Sequence, residues 1–126
     1  MLAACYSCQN SPYELPLPVH TTAELAQFKM KVLPDVPTSS VDVKLVIYED
    51  CKYNRLNKVQ INGSTIDIEK QFNSMIMAPC VLTNDTILIG KLPAGIYRVN
   101  YKLVDLSTVT KNNIPFAIAF KLEVLN

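Results

Sequence analysis

The sequence predicts an all-β, antiparallel sandwich of seven to eight strands, on three observations. From residue 23 onward apolar side chains recur at every second position, the period of a strand with one buried face. Turn-forming residues interrupt that alternation at Pro34 and Pro37, Asn62-Gly63, Thr83-Asn84-Asp85 and Gly90 to Gly95, a spacing that suits short strands packed in two layers. Only Thr22 to Gln27 and Glu69 to Ser74 have a pattern that accommodates a helical turn or two. At 126 residues and 49% hydrophobic content, the chain supplies one proper core and not two.

The elements follow in order. Residues 1–22 read as a leader and tether, and residues 23–126 as the domain. Pro12, Pro16 and Pro18 fix φ and remove donors, which favours an extended, semi-rigid strip. The same stretch also reads as an edge strand in which Leu15, Leu17 and Val19 dock, with prolines where donors are not needed. Phe28, Met30 and Val32 alternate with Gln27, Lys29 and Lys31 as the first strand of the domain. Val41, Val43, Leu45 and Ile47 share one face of a longer second strand, with Val46 and Tyr48 on the other.

Lys58 to Ile61 and Thr65 to Glu69 flank Asn62-Gly63. Asn-Gly between alternating runs signals a hairpin, because both central residues of a type I′ turn need positive φ. Met75 to Leu82 is an apolar run crossed by Pro79, which demotes it to an edge or a bulge. Thr86 to Ile89 forms the next strand. Tyr97, Val99, Tyr101 and Leu103 alternate cleanly with Arg98, Asn100 and Lys102, and Phe116, Ile118, Phe120, Leu122 and Val124 close the domain.

The corner Leu92-Pro93-Ala94-Gly95-Ile96-Tyr97 resembles the E–F corner of immunoglobulin-like and fibronectin-III-like sandwiches. That resemblance implies an Ig-like sandwich in which the Tyr97 hydroxyl reaches back to an upstream backbone group, with Leu92 and Gly95 completing a structural corner. The chain has no tryptophan, so the core indole of antibody domains is absent, and Cys51 and Cys80 do not occupy the antibody disulfide positions. A generic Ig-like sandwich, similar to those of small Gram-negative lipoproteins, is what the resemblance implies.

The first residues point to an address. Leu2-Ala3-Ala4-Cys5 resembles a lipobox, whose small side chains let a lipoprotein peptidase approach the backbone before the cysteine that is lipidated. A signal peptide also needs a basic start and an apolar run of about 7–15 residues, which this sequence does not carry. Tyr6-Ser7-Cys8-Gln9-Asn10 contains no acidic residue; the resemblance then implies an outer-membrane lipoprotein of the cell envelope, periplasmic or surface-exposed. No segment reaches the roughly 20 consecutive apolar residues of a membrane-spanning helix, so membrane attachment is expected through lipid on Cys5.

Four cysteines in an exported chain suggest disulfides. Cys51 has the parity of Val43, Leu45 and Ile47, so unbroken alternation turns it inward; Cys80 shares parity with Ile76, Ala78 and Leu82. A Cys51–Cys80 bridge and two separately buried thiols are both compatible with that pattern, and with the bridge Cys8 is the odd thiol. Cys5-Tyr6-Ser7-Cys8 is formally Cys-x-x-Cys, but it lacks the helix N-terminus of a redox motif and the second close pair of a zinc site. His20, the sole histidine, reads as a surface imidazole.

Asp67 and Glu69 share a strand face, which is usually solvation, since glycosidase carboxylates come from across a cleft. No nucleophile elbow, phosphate loop or dinucleotide glycine pattern occurs. Net charge is +1 and the basic residues are scattered, so no nucleic-acid stripe is expected. No enzyme activity, metal or cofactor is expected. The expected function is a non-catalytic, lipid-anchored envelope module for binding or assembly that contacts a protein partner, with Tyr48, Tyr53 and Arg55 as the first place to look. The alternative is a pilin-like subunit that assembles by β-strand addition.

Overall fold

The computed structural model describes residues 17–51, 56–73, 80–106 and 114–126. Among the described residues eight strands are formed: β1 (Val19–His20), β2 (Met30–Leu33), β3 (Val43–Cys51), β4 (Leu56–Asn62), β5 (Thr65–Phe72), β6 (Leu82–Gly90), β7 (Gly95–Asp105) and β8 (Phe116–Val124). A 3-10 turn, Ala23–Phe28, lies between β1 and β2. The strands form a five-stranded sheet in the order β1-β8-β7-β5-β4 and a three-stranded sheet β2-β3-β6. The chain is thus an all-β sandwich of eight strands. Among the described residues no helix is long and apolar enough to cross a membrane.

The core is built by alternation from both layers. Val43, Leu45 and Ile87 of the small sheet pack with Ile66, Ile68, Val99, Phe120 and Leu122 of the large one, all at most 2% exposed. Leu25 of the 3-10 turn, also fully buried, plugs the side of the sandwich. Two pairings run parallel, β1 with β8 and β5 with β7, within otherwise antiparallel sheets. β5 takes the inner position with Ile66 and Ile68 buried, whereas β4 lies at the edge with Ile61 45% exposed.

Local departures from the sequence pattern have physical causes. The hairpin between β4 and β5 turns on Gly63-Ser64, with Asn62 paired to Thr65. Positive φ is confined to Gly63 (60°), the signature of a type II′ turn rather than type I′. Thr83-Asn84-Asp85, expected as a turn, lies inside β6, where Asp85 takes the same inward parity as Ile87 and Ile89. Glu69 to Phe72 continues β5 instead of forming a helical turn, because Lys70 holds the inward parity of Ile66 and Ile68.

Strand β3 carries a bulge. Ile47 pairs with Asp85 and Asp50 with Thr83, so three steps along β3 match two along β6. Glu49 has φ 56°, the Tyr48 N–H donates to the Lys29 carbonyl at 2.8 Å, and Lys29 Nζ pairs with Glu49 Oε1 at 2.6 Å. A one-residue bulge inverts the alternation beyond it. Asp50, not Cys51, therefore takes the inward position. The interior at this end is closed by charge: fully buried Lys70 pairs with Asp50 and Asp85.

Candidate functional site

A groove of about 810 Å³ runs along one side of the sandwich. It exists because both sheets end there. β2 is the outermost strand of the small sheet and pairs only with β3 among the described residues. On the large sheet, β1 covers β8 at just two positions, Val19 opposite Ala119 and His20 opposite Phe120. The outer edge is paired again at the Thr38–Leu125 bridge, where Ser39 N–H donates to the Leu125 carbonyl at 2.8 Å and Leu125 N–H to the Pro37 carbonyl at 2.9 Å. Between these two closures, residues 121–124 pair only with β7 among the described residues.

Strand alternation sets the groove's character. Met30, Val32, Pro37 and Leu122 form its buried apolar floor, and Val36 (61% exposed), Leu125 and Tyr48 stand at its margin. Lys29, Lys31, Asp35, Lys121 and Glu123 provide a charged rim. Part of that rim is internally neutralised, since Lys31 Nζ lies 3.3 Å from Asp35 Oδ1. Such a surface offers backbone donors and acceptors beside an apolar trough. It suits an extended chain whose alternate side chains point inward.

One end is shaped by a reciprocal cap on the 3-10 turn. Thr21 N–H donates to Glu24 Oε1 at 2.9 Å, and Glu24 N–H donates to Thr21 Oγ1 at 3.2 Å, a capping-box arrangement. The Thr21 N–H bond, with help from His20 at 3.4 Å, lowers the Glu24 carboxyl below the ordinary glutamate range. His20 is only half-exposed and meets Phe28 edge-on at 5.2 Å. Phe28 continues through Phe116 to Tyr101 at 6.1 Å centroid spacing. This aromatic run holds β1 and the turn against the end of the large sheet.

Of the residues singled out by sequence, Tyr48 lines the groove, while Tyr53 and Arg55 lie outside the described residues, as do Cys5 and Cys8. Cys51 and Cys80 are bonded, with Cα atoms 4.9 Å apart. The Tyr97 hydroxyl donates to the Pro93 carbonyl at 2.6 Å, with Leu92 buried and Gly95 at φ 155°. Asp67 and Glu69 stay on the outer face of the large sheet. Asn100 Nδ2 donates to Asp67 Oδ1 at 2.9 Å, and Lys102 pairs with Glu69 at 3.7 Å.

Sequence reasoning did not single out the groove. Its walls come from residues far apart in the chain, and an unpaired edge is a property of the assembled sheets. Lys70 and Asp85 were also missed, although parity with Ile66, Ile68, Ile87 and Ile89 was the available signal. Among the described residues no cluster of three or more His, Cys, Asp or Glu side chains is placed to hold a metal ion. Comparison with protein-family models, with curated proteins and with solved structures finds no match.

Proposed function

We propose that this domain is a non-catalytic binding or assembly module whose groove accepts an extended segment of a partner protein by β-strand addition. The observation that carries the reading is the edge of β8 at residues 121–124, open among the described residues and facing, across an apolar floor, the edge of β2 that is likewise open among them. Unpaired strand edges are templates for another strand, and backbone bonds supply affinity while alternate side chains supply selectivity. The Leu2-Ala3-Ala4-Cys5 pattern supports an envelope address, with lipid on Cys5 and a proline-rich tether before the domain. Lack of tryptophan disfavours a sugar-stacking platform and favours a protein partner.

The pilin-like alternative uses the same edge with a second copy as donor. β8 itself is not a free donor, since it pairs with β7 from Phe116 to Val124. A displayed library of short peptides, panned against the domain, tests the proposal. The expected binders alternate apolar and polar residues and lose affinity when Val36→Glu or Leu125→Asp places charge at the groove margin. Binders indifferent to both substitutions would overturn the site, and concentration-dependent oligomers without peptide would favour the pilin-like reading.

A further inference from the structure

We propose that Lys70 and Asp85 condense to an intramolecular isopeptide bond that ties the two sheets together, with Asp50 as the proton carrier. Three features converge. Lys70 is fully buried and projects inward from β5 of the large sheet, in line with Ile66 and Ile68. Asp85 projects inward from β6 of the small sheet, and Lys70 Nζ donates to its Oδ2. On the same nitrogen, Asp50 Oδ2 lies 2.6 Å away, delivered there by the β3 bulge. A nucleophilic amine, an acyl carbon and a second carboxylate thus meet inside the sandwich.

An ion cluster alone is a poor reason to keep a lysine at this position. Buried ion pairs contribute little net stability because the desolvation cost offsets their attraction. Moving a proton from Lys70 to carboxylate converts buried ions to a neutral amine and a neutral acid, the direction a low-dielectric interior favours. The same transfer gives Lys70 the lone pair that a nucleophile needs.

The step balances without any oxidant or cofactor. Lys70 first passes one ammonium proton to the Asp85 carboxylate that it touches, and the freed amine attacks Cγ of the neutral acid, forming the N–C bond. Asp50 takes the second proton from the attacking nitrogen and delivers it to the hydroxyl, the Cγ–OH bond breaks, and the oxygen leaves as water while the amide keeps one N–H. Ammonium and carboxylate become amide and one water. Holding both partners in contact supplies the proximity that makes an otherwise slow condensation accessible. The roles of the two carboxylates follow from their surroundings. Asp85 is 30% exposed, which gives the water an exit. Asp50 is 12% exposed and its Oδ1 is held by the Cys51 N–H at 3.0 Å, which orients it as a proton carrier.

Intact-mass measurement of the full chain, reduced and alkylated, tests this directly. The expected mass is lower by one water than that of the linear chain with its cysteines alkylated, and tandem spectra of a digest show a branched peptide joining Lys70 to Asp85. The full mass of that linear chain, with linear peptides across both residues, overturns the proposal, as does a lost water mapped elsewhere. Asp50→Asn, checked for folding by circular dichroism, is expected to retain the full mass. Complete cross-linking in that variant would overturn the role of Asp50.

Discussion

Asp50 Oδ2 lies 2.6 Å from Lys70 Nζ because β3 carries one residue more than β6 between Ile47 and Asp50. Without that bulge the inward position belongs to Cys51, and the charged contact between the sheets is lost. The bulge also places Tyr48 beside the groove, where its N–H meets the Lys29 carbonyl. One inserted residue therefore sets both the buried charge cluster and part of the groove's margin.

The corner before β7 gives the simplest stability test. Tyr97→Phe removes the hydrogen bond to the Pro93 carbonyl while keeping the buried ring. The expected loss is about 0.5–1.5 kcal/mol, read as a lower urea midpoint with an unchanged m-value.

The disulfide closes a loop with a sequence separation of 29. In the chain-entropy treatment such a loop contributes about 3–4 kcal/mol. The double variant Cys51→Ala/Cys80→Ala is expected to fall in stability by about that amount, measured by denaturant unfolding. An equal midpoint in oxidised and reduced wild-type protein would contradict it.

The cap at the groove's end predicts an acid response. Glu24 titrates below the ordinary glutamate range because the Thr21 N–H donates to its carboxylate. A depressed folded value means the contribution is full above the unfolded glutamate pKa and is lost as pH falls through the folded value. Carboxylate chemical shifts should show Glu24 titrating below the chain's exposed glutamates, and Glu24→Gln should remove that part of the acid dependence.

The proposed lipid on Cys5 makes a separate prediction. In cells fed an alkyne fatty acid, the gene expressed with its upstream region should yield labelled protein, and Cys5→Ala should yield none. Equal labelling of both would remove Cys5 from the account, and no label in either would remove the lipid.

Much of the fold was legible in the chain because strand alternation is local. β7 and β8 follow from Tyr97 to Leu103 and from Phe116 to Val124, and the Tyr97 corner is carried by six consecutive residues. The hairpin was legible, but its turn lies one residue further on, since a type II′ turn needs positive φ only at Gly63. Thr83-Asn84-Asp85 reads as a turn by composition, yet its pairing with β3 and the contact from Lys70 hold it in a strand. Tertiary partners outweighed local preference there. The groove depends on where β1 stops along β8, a length of pairing that no local pattern encodes.

Hydrogen exchange at the backbone amides of residues 121–124 and of β2, with and without a selected groove-binding peptide, tests strand addition most directly. The account predicts that amides on the open edges exchange readily in the free domain and become protected on binding, while those bonded to β7 or β3 change little. Binding that leaves both edges unprotected would contradict it.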